Sequence, residues 1–256
     1  MQLIKVVIPQ SCHWLSELAK QELKSIFADV IVLVNDNPYQ LLLAAEADVC
    51  LMPLQDTPFH LPAGIVITAL RKREDPEYVL ILRKDLADEN KLLNVPENTA
   101  INVPDQLILR SIGGYFTSNS IEINPLNENV PDIAVLPKIE LGLRNISPDD
   151  YFVHDLHPDE FTPQAGQGSF AWICREDDLE LRRMLKKIHS TDTTRCCNTE
   201  RRIARNWQLA GISGHAYCSV HPTGHYQLNF CILNTAGEIE KEKFSSPVVT
   251  GWEQLG

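Results

Sequence analysis

Thr162 to Asp178 reads TPQAGQGSFAWICREDD, and the run AGQG at its centre, Ala165 to Gly168, decides how the rest of the chain is organised. Gly166 and Gly168 flank Gln167 shortly after a proline and directly before the apolar run Ser169 to Cys174. Glycine reaches backbone angles closed to other residues and lets other groups approach the main chain, so such a pair suits a bend or a crossing between two bodies. The plainer reading of the same spacing is a loop that leads into a buried strand.

Composition bounds the alternatives. A chain of 256 residues is at the upper edge of what one hydrophobic core supports, so two or three units are expected. With 44% hydrophobic and 22% charged residues, and no apolar run near the ~20 residues a bilayer span needs, the chain reads as a soluble protein with no membrane partner. The opening MQLIKVVIPQ lacks a basic leader followed by an apolar block, so no export signal is read and a cytoplasmic location is expected. Seven cysteines, at 12, 50, 174, 196, 197, 218 and 231, form no C-x-x-C pair, which favours reduced, buried thiols over disulfides or zinc. A net charge of -11 argues against nucleic acid as a partner. A local basic pocket for a small anion remains available at Arg71, Lys72 and Arg73 or at Arg201, Arg202 and Arg205. HDLHPDE, His154 to Glu160, reads as a solvated acidic loop, because its spacing fits no ligand pair on one helix or strand; no metal is expected.

Periodicity divides the chain. Leu3 to Ile8, Val30 to Val34 and Val49 to Leu54 read as strands, separated by helices at Trp14 to Phe27 and Pro38 to Ala47. This order predicts a parallel sheet with ligands near the carboxyl ends of its strands. Beyond the charged segment RKREDP, strands are expected at Tyr78 to Arg83, Val103 to Leu109, Ile121 to Ile123 and Ile133 to Leu136, with one short helix at Ile139 to Leu143 and an exposed loop at Asn124 to Asp132. Phe170 to Cys174 returns as a strand and Asp178 to His189 as an amphipathic helix. A helix at Thr199 to Leu209 and strands at His215 to Val220, Tyr226 to Leu233 and Lys243 to Val249 complete a small α+β unit, with Thr235 to Glu242 as the last turn.

Several of these stretches resemble, in order, the hydroxymethylbilane synthase (porphobilinogen deaminase) family. PQAGQGSFAWICRED is similar to the family's P-A-x-G-Q-G-A-[LV]-[AG]-I-E-x-R. NTERRIAR resembles its A-E-R, and VPDIAVLPKIELGL its Y-D-A-[IL]-[IV]-L-A-x-A-G-L. ADVCLMPLQDTPFHLPAGIVITALRKREDPEYVLI is similar to its D-x-A-V-H-S-x-K-D-x-P and the pieces that follow. The resemblance implies an α/β fold of two periplasmic-binding-protein-like lobes, each with a parallel-rich sheet, plus a small C-terminal α+β domain. It places domain 1 at 1–74 with 167–187, domain 2 at 77–163 and the third domain at 190–256, with Gly166 and Gly168 at a hinge.

The family joins porphobilinogen units head to tail on a dipyrromethane primer held by a thioether, in a cleft lined with arginine and lysine. By this resemblance Asp56, in LQDTP, is the catalytic aspartate. Gln10, Cys12, Gln55, Arg110 and Gln167 fall at or near substrate-binding positions, yet Gln10 and Gln55 stand where the family has an arginine and a lysine, and Cys12 where it has a serine. The primer's cysteine position falls at Gly211 or Ile212, neither of which forms a thioether, and Cys218 further on reads as a buried apolar thiol. The expectation is a shortened, strongly diverged and monomeric member, with dipyrromethane not covalently bound. It is either a weakened synthase or an inactive module that binds a small ligand in the cleft.

Overall fold

The computed structural model describes residues 3–124 and 130–248. They divide into two compact units, 1–74 with 166–195 and 75–165 with 196–256. The first holds a five-stranded sheet in the order β2-β1-β3-β10-β4, built from β1 (Leu3–Ile8), β2 (Asp29–Val34), β3 (Val49–Pro53), β4 (Ile65–Leu70) and β10 (Phe170–Arg175). β1 pairs in parallel with β2 and β3, whereas β10 runs antiparallel between β3 and β4. β3 is buried along its whole length and β10 up to Cys174, which explains their uninterrupted apolar sequences. Around them lie α1 (Ser16–Leu23), α2 (Pro38–Leu43) and α5 (Leu179–Leu185).

The second unit repeats the plan with other residues. Its order is β7-β6-β8-β5-β9, from β5 (Tyr78–Arg83), β6 (Ala100–Val103), β7 (Ser120–Ile123), β8 (Ile133–Pro137) and β9 (Tyr151–Leu156). Here too the central pairings β6 with β7 and β8 are parallel, and β5 is inserted antiparallel between β8 and β9. Two sheets with one shared order, each with a strand from outside its own run in the fourth place, give the two-lobed α/β class read from the sequence. α3 (Gln106–Gly113) and α4 (Glu140–Leu143) complete this half.

The C-terminal segment forms a three-stranded antiparallel sheet, β11 (Gly214–Val220), β12 (Tyr226–Leu233) and β13 (Ile239–Ser246). It packs on α6 (Thr191–Leu209) through Cys196, Ile203, Trp207, Ala216, Cys218, Leu228 and Phe230. Trp207 meets Phe230 edge-on at 5.4 Å between ring centroids.

Four expected elements differ. The run Val103 to Leu109 is not one strand: β6 stops at Val103, Pro104 breaks it, and Asp105 caps α3 by accepting from the Leu107 and Ile108 amides. The helix expected from Trp14 begins two residues later, because residues 10–15 form a 3-10 turn bent at Cys12. The last strand starts at Ile239, four residues before the expected place, so part of the expected turn is strand; Val249 lies outside the described residues, as does most of the loop expected at 124–132. β4 and β9 were not expected at all.

Candidate functional site

The first sheet dictates where a ligand belongs in its unit. From β1 the chain steps to β2 on one side and later to β3 on the other, so the connections leave in opposite directions at the β1/β3 boundary. Crevices of this kind, beyond the carboxyl ends of strands, are where open α/β sheets bind ligands. Two loops leave there. The first, after Ile8, carries Gln10, exposed, and Cys12, buried, whose amide donates to the Pro9 carbonyl at 2.9 Å. The second, after Pro53, is a tight turn: Asp56 N–H donates to Pro53 O at 3.2 Å, Thr57 N–H to Leu54 O at 3.1 Å, and the Thr57 hydroxyl to Pro53 O at 3.0 Å. This turn leaves Asp56 exposed and Gln55 half-buried.

The AGQG run packs against that second loop. Gly166 and Gly168 have φ of 86° and 76°, and a Cβ on Gly166 would stand 2.8 Å from Leu54 Cγ. Glycine is therefore required there for both conformation and space. Ser169 N–H closes the turn onto Gly166 O at 3.0 Å, and Leu54 N–H donates to Ser169 O at 2.8 Å. Gln167 is fully buried, and its carbonyl accepts from Arg73 Nε at 2.8 Å. Glu74 N–H reaches Gly168 O at 2.9 Å. Residues 73–74 and 166–169 are thus stitched together on the first unit. Gln10, Cys12, Gln55, Asp56, Gly166, Gln167 and Gly168 all belong to this unit, whereas Arg110 is exposed near the end of α3 in the other.

The cations of the first unit are held by protein acceptors. Arg71 pairs with Glu22 at 2.9 Å and with Glu74, and lies over the Phe170 ring. Burial lifts the Glu22 carboxyl above its ordinary range, against the pull of Arg71 and of the Trp172 indole N–H at 3.2 Å. Arg175 donates to the Leu42 and Ala47 carbonyls at 2.9 and 3.0 Å. Neither expected loop, 9–15 or 53–63, contains lysine or arginine.

All seven cysteines are free thiols and buried. Cys218 is 1% exposed, in the apolar layer between β11 and α6. Burial pushes the Cys50 thiol up to about 12, and raises those of Cys174 and Cys231. Gly211 is an exposed residue with φ of 73°, and Ile212 is 37% exposed. The geometry does not fit a thioether-held group: the exposed positions have no sulfur, and the sulfurs are enclosed.

Sequence reasoning missed a polar cluster in the second unit. His215 on β11 is buried, with Nε2 3.2 Å from Asp105 Oδ2 and Nδ1 2.9 Å from the Thr162 carbonyl. Gln164 Nε2 donates to the same Asp105 oxygen at 2.7 Å. Both His215 contacts are with acceptors, so both ring nitrogens carry protons. The signal was the Pro-Asp pair before Leu107, Ile108 and Ile112, a helix start hidden by the apolar run. Among the described residues no group of three or more His, Cys, Asp or Glu is arranged to hold a metal, and no helix is long and apolar enough to cross a membrane.

Comparison with known proteins adds the following. Residues 18–103 match the family model described as porphobilinogen deaminase, dipyromethane cofactor binding domain. The chain is similar to the porphobilinogen deaminase of Syntrophobacter fumaroxidans, 30% identical over 69% of the chain and 59% of that protein. It is 24% identical to that of Chlorobaculum parvum over 76% of the chain and 71% of that protein. The chain therefore spans between about three fifths and seven tenths of these relatives' length. Among solved structures it is similar to the regulatory domain of the transcriptional activator MexT from Pseudomonas aeruginosa, at 12% identity and a TM-score of 0.44 over 73% of this chain and 97% of that one. It is likewise similar to the substrate-binding protein AbpA from Streptococcus pneumoniae, at 14% identity and a TM-score of 0.40 over 82% and 90%.

Proposed function

We infer that this chain, a strongly diverged member of the porphobilinogen deaminase family, binds a small ligand without the covalent dipyrromethane primer that the family carries. The ligand site in this reading is the carboxyl end of β1 and β3. Asp56 supplies an acidic contact for N–H donors, Gln10 and Gln55 supply neutral hydrogen-bonding groups, and Gln167 between its two glycines fixes the turn beneath them. The observation that carries the reading is the enclosure of every thiol together with the absence of sulfur at Gly211 and Ile212. A primer has nowhere to attach.

The engagement of Arg71 and Arg175 with internal acceptors supports the same conclusion. A chain of pyrroles carries many carboxylates, and enclosing them without cationic partners costs several kcal/mol each. One feature favours a second reading, a weakened synthase with a non-covalent primer: the family's aspartate is present at Asp56. In either case the protein belongs to tetrapyrrole chemistry in the cytoplasm, and the three-domain division at 1–74 with 167–187, 77–163 and 190–256 stands as our proposal.

The deciding experiment is the intact mass of the purified protein under denaturing conditions, before and after incubation with porphobilinogen. The mass of the unmodified chain in both samples, with no linear tetrapyrrole in solution, is the expected result. A resident dipyrromethane mass that grows by whole pyrrole units overturns the proposal. An unmodified chain that releases linear tetrapyrrole selects the second reading.

A further inference from the structure

The sheets of this protein have six outer strands, and five of them are protected against pairing with another chain. β13 carries the alternating charges Glu240, Lys241, Glu242 and Lys243. β11 has its Cys218 amide taken at 2.7 Å by the buried carboxylate of Glu200. β4 is closed at Leu70, whose N–H donates to His189 Nδ1 at 3.4 Å and whose carbonyl accepts from Ser190 N–H at 2.7 Å. β9 presents His154 and Asp155, the latter paired with Lys138 at 3.0 Å. β7 is four residues long and includes Glu122. Such devices are how native proteins keep strand edges from joining.

β2 has none of them. Its six residues, DVIVLV, include no lysine, arginine or proline, and among the described residues its ladder runs to β1 alone. Ile31 and Val34 are 43% and 41% exposed, and Leu3 beside them on β1 is 46% exposed. We propose that β2 is a docking edge for a second copy of this chain, pairing antiparallel with β2 of its partner about a two-fold axis normal to the sheet.

The sequence of the strand selects this occupant. A two-fold axis normal to the sheet keeps each residue on its own face, so only residues of equal parity can stand opposite one another. With Val32 on the axis, Ile31 faces Leu33 of the partner subunit and Val30 faces Val34 of the partner subunit. Asp29 then faces Asn35 of the partner subunit, whose amide can donate to the carboxylate. Moving the axis to Leu33 sets Val30 opposite Asp36 of the partner subunit, and moving it to Ile31 sets Asp29 opposite Leu33 of the partner subunit. One register therefore matches apolar with apolar throughout. Because each copy carries a net charge of -11, association is opposed by repulsion that salt screens.

Sedimentation equilibrium of the full chain tests this across the micromolar range at low and high salt. A monomer–dimer equilibrium that strengthens with salt is expected. Ile31→Lys with Val34→Lys should weaken it by about tenfold or more, whereas Val220→Lys, at an exposed position on β11, should leave it unchanged. Far-UV dichroism and the melting curve of each variant check folding. Val32→Cys reads the register directly, since its thiols meet on the axis while the native seven are enclosed; mild oxidation should give a disulfide-linked dimer. A chain that stays monomeric throughout, or a dimer indifferent to the paired lysines in a folded variant, overturns the proposal, as does a dimer that Val32→Cys fails to link.

Discussion

Asp105 does three things at once: its carboxylate caps α3, accepts from Gln164, and faces the imidazole of His215. Burial opposes its ionisation, but the His215 charge and these hydrogen bonds outweigh burial and hold its carboxyl below the ordinary range. A carboxyl whose folded pKa lies below its unfolded value, about 3.9, contributes in full above that value and loses the contribution as pH falls through the folded one. Asn caps helices about as well as Asp, so Asp105→Asn isolates the charge. The variant should lose about 2 kcal/mol near neutrality, as expected for hydrogen bonds to a charged group. Its urea-unfolding curve should then converge on that of the parent protein in acid. A constant difference across the acid range would show that the charge is not the source.

At the scale of the element, α6 shows what periodicity can and cannot disclose. Cys196, Ile203 and Trp207 fall on one helical stripe and meet the three-stranded sheet, and Glu200 lies on the same stripe, fully buried. A glutamate there contradicts an apolar stripe until its partner across 18 residues is known, the Cys218 amide. Glu200→Ala leaves that amide unpaired beside a core, and should cost about 2 kcal/mol and speed hydrogen exchange at Cys218 more than at Leu228. Elements with a clean period or a closed apolar run, such as β5, β10 and β12, were legible to the residue. β4 was not, because IVITAL follows a Pro-Ala-Gly turn with little polar alternation. α3 was not, because Val103 to Leu109 joins two apolar segments into one apparent strand. In the site, AGQG and Asp56 were visible locally. The Asp105–His215 pair was invisible because its members are more than a hundred residues apart.

At the scale of the molecule, the disposition of sulfur makes a chemical prediction. Thiols react as thiolates, and enclosure in apolar surroundings withholds both access and ionisation. A disulfide-exchange reagent at neutral pH should therefore titrate fewer than one of the seven cysteines rapidly in the folded protein and all seven in denaturant. Rapid reaction of Cys218 would show that β11 and α6 part readily, and would reopen the question of a covalent group. Composition had already pointed to buried, reduced thiols. The identity of the lining around each sulfur needed the fold.

The place of β10 has a consequence for the order in which the protein can be made. It fills the gap between β3 and β4, yet it is the stretch Phe170–Arg175, about a hundred residues further along the chain. A nascent chain that has emerged from the ribosome as far as Glu74 holds four strands of a sheet that lacks an inner member, with two apolar edges facing each other across the vacancy. The first lobe begun is thus completed only after the intervening stretch has been synthesised, and during that interval β3 and β4 are available to any other strand that arrives first.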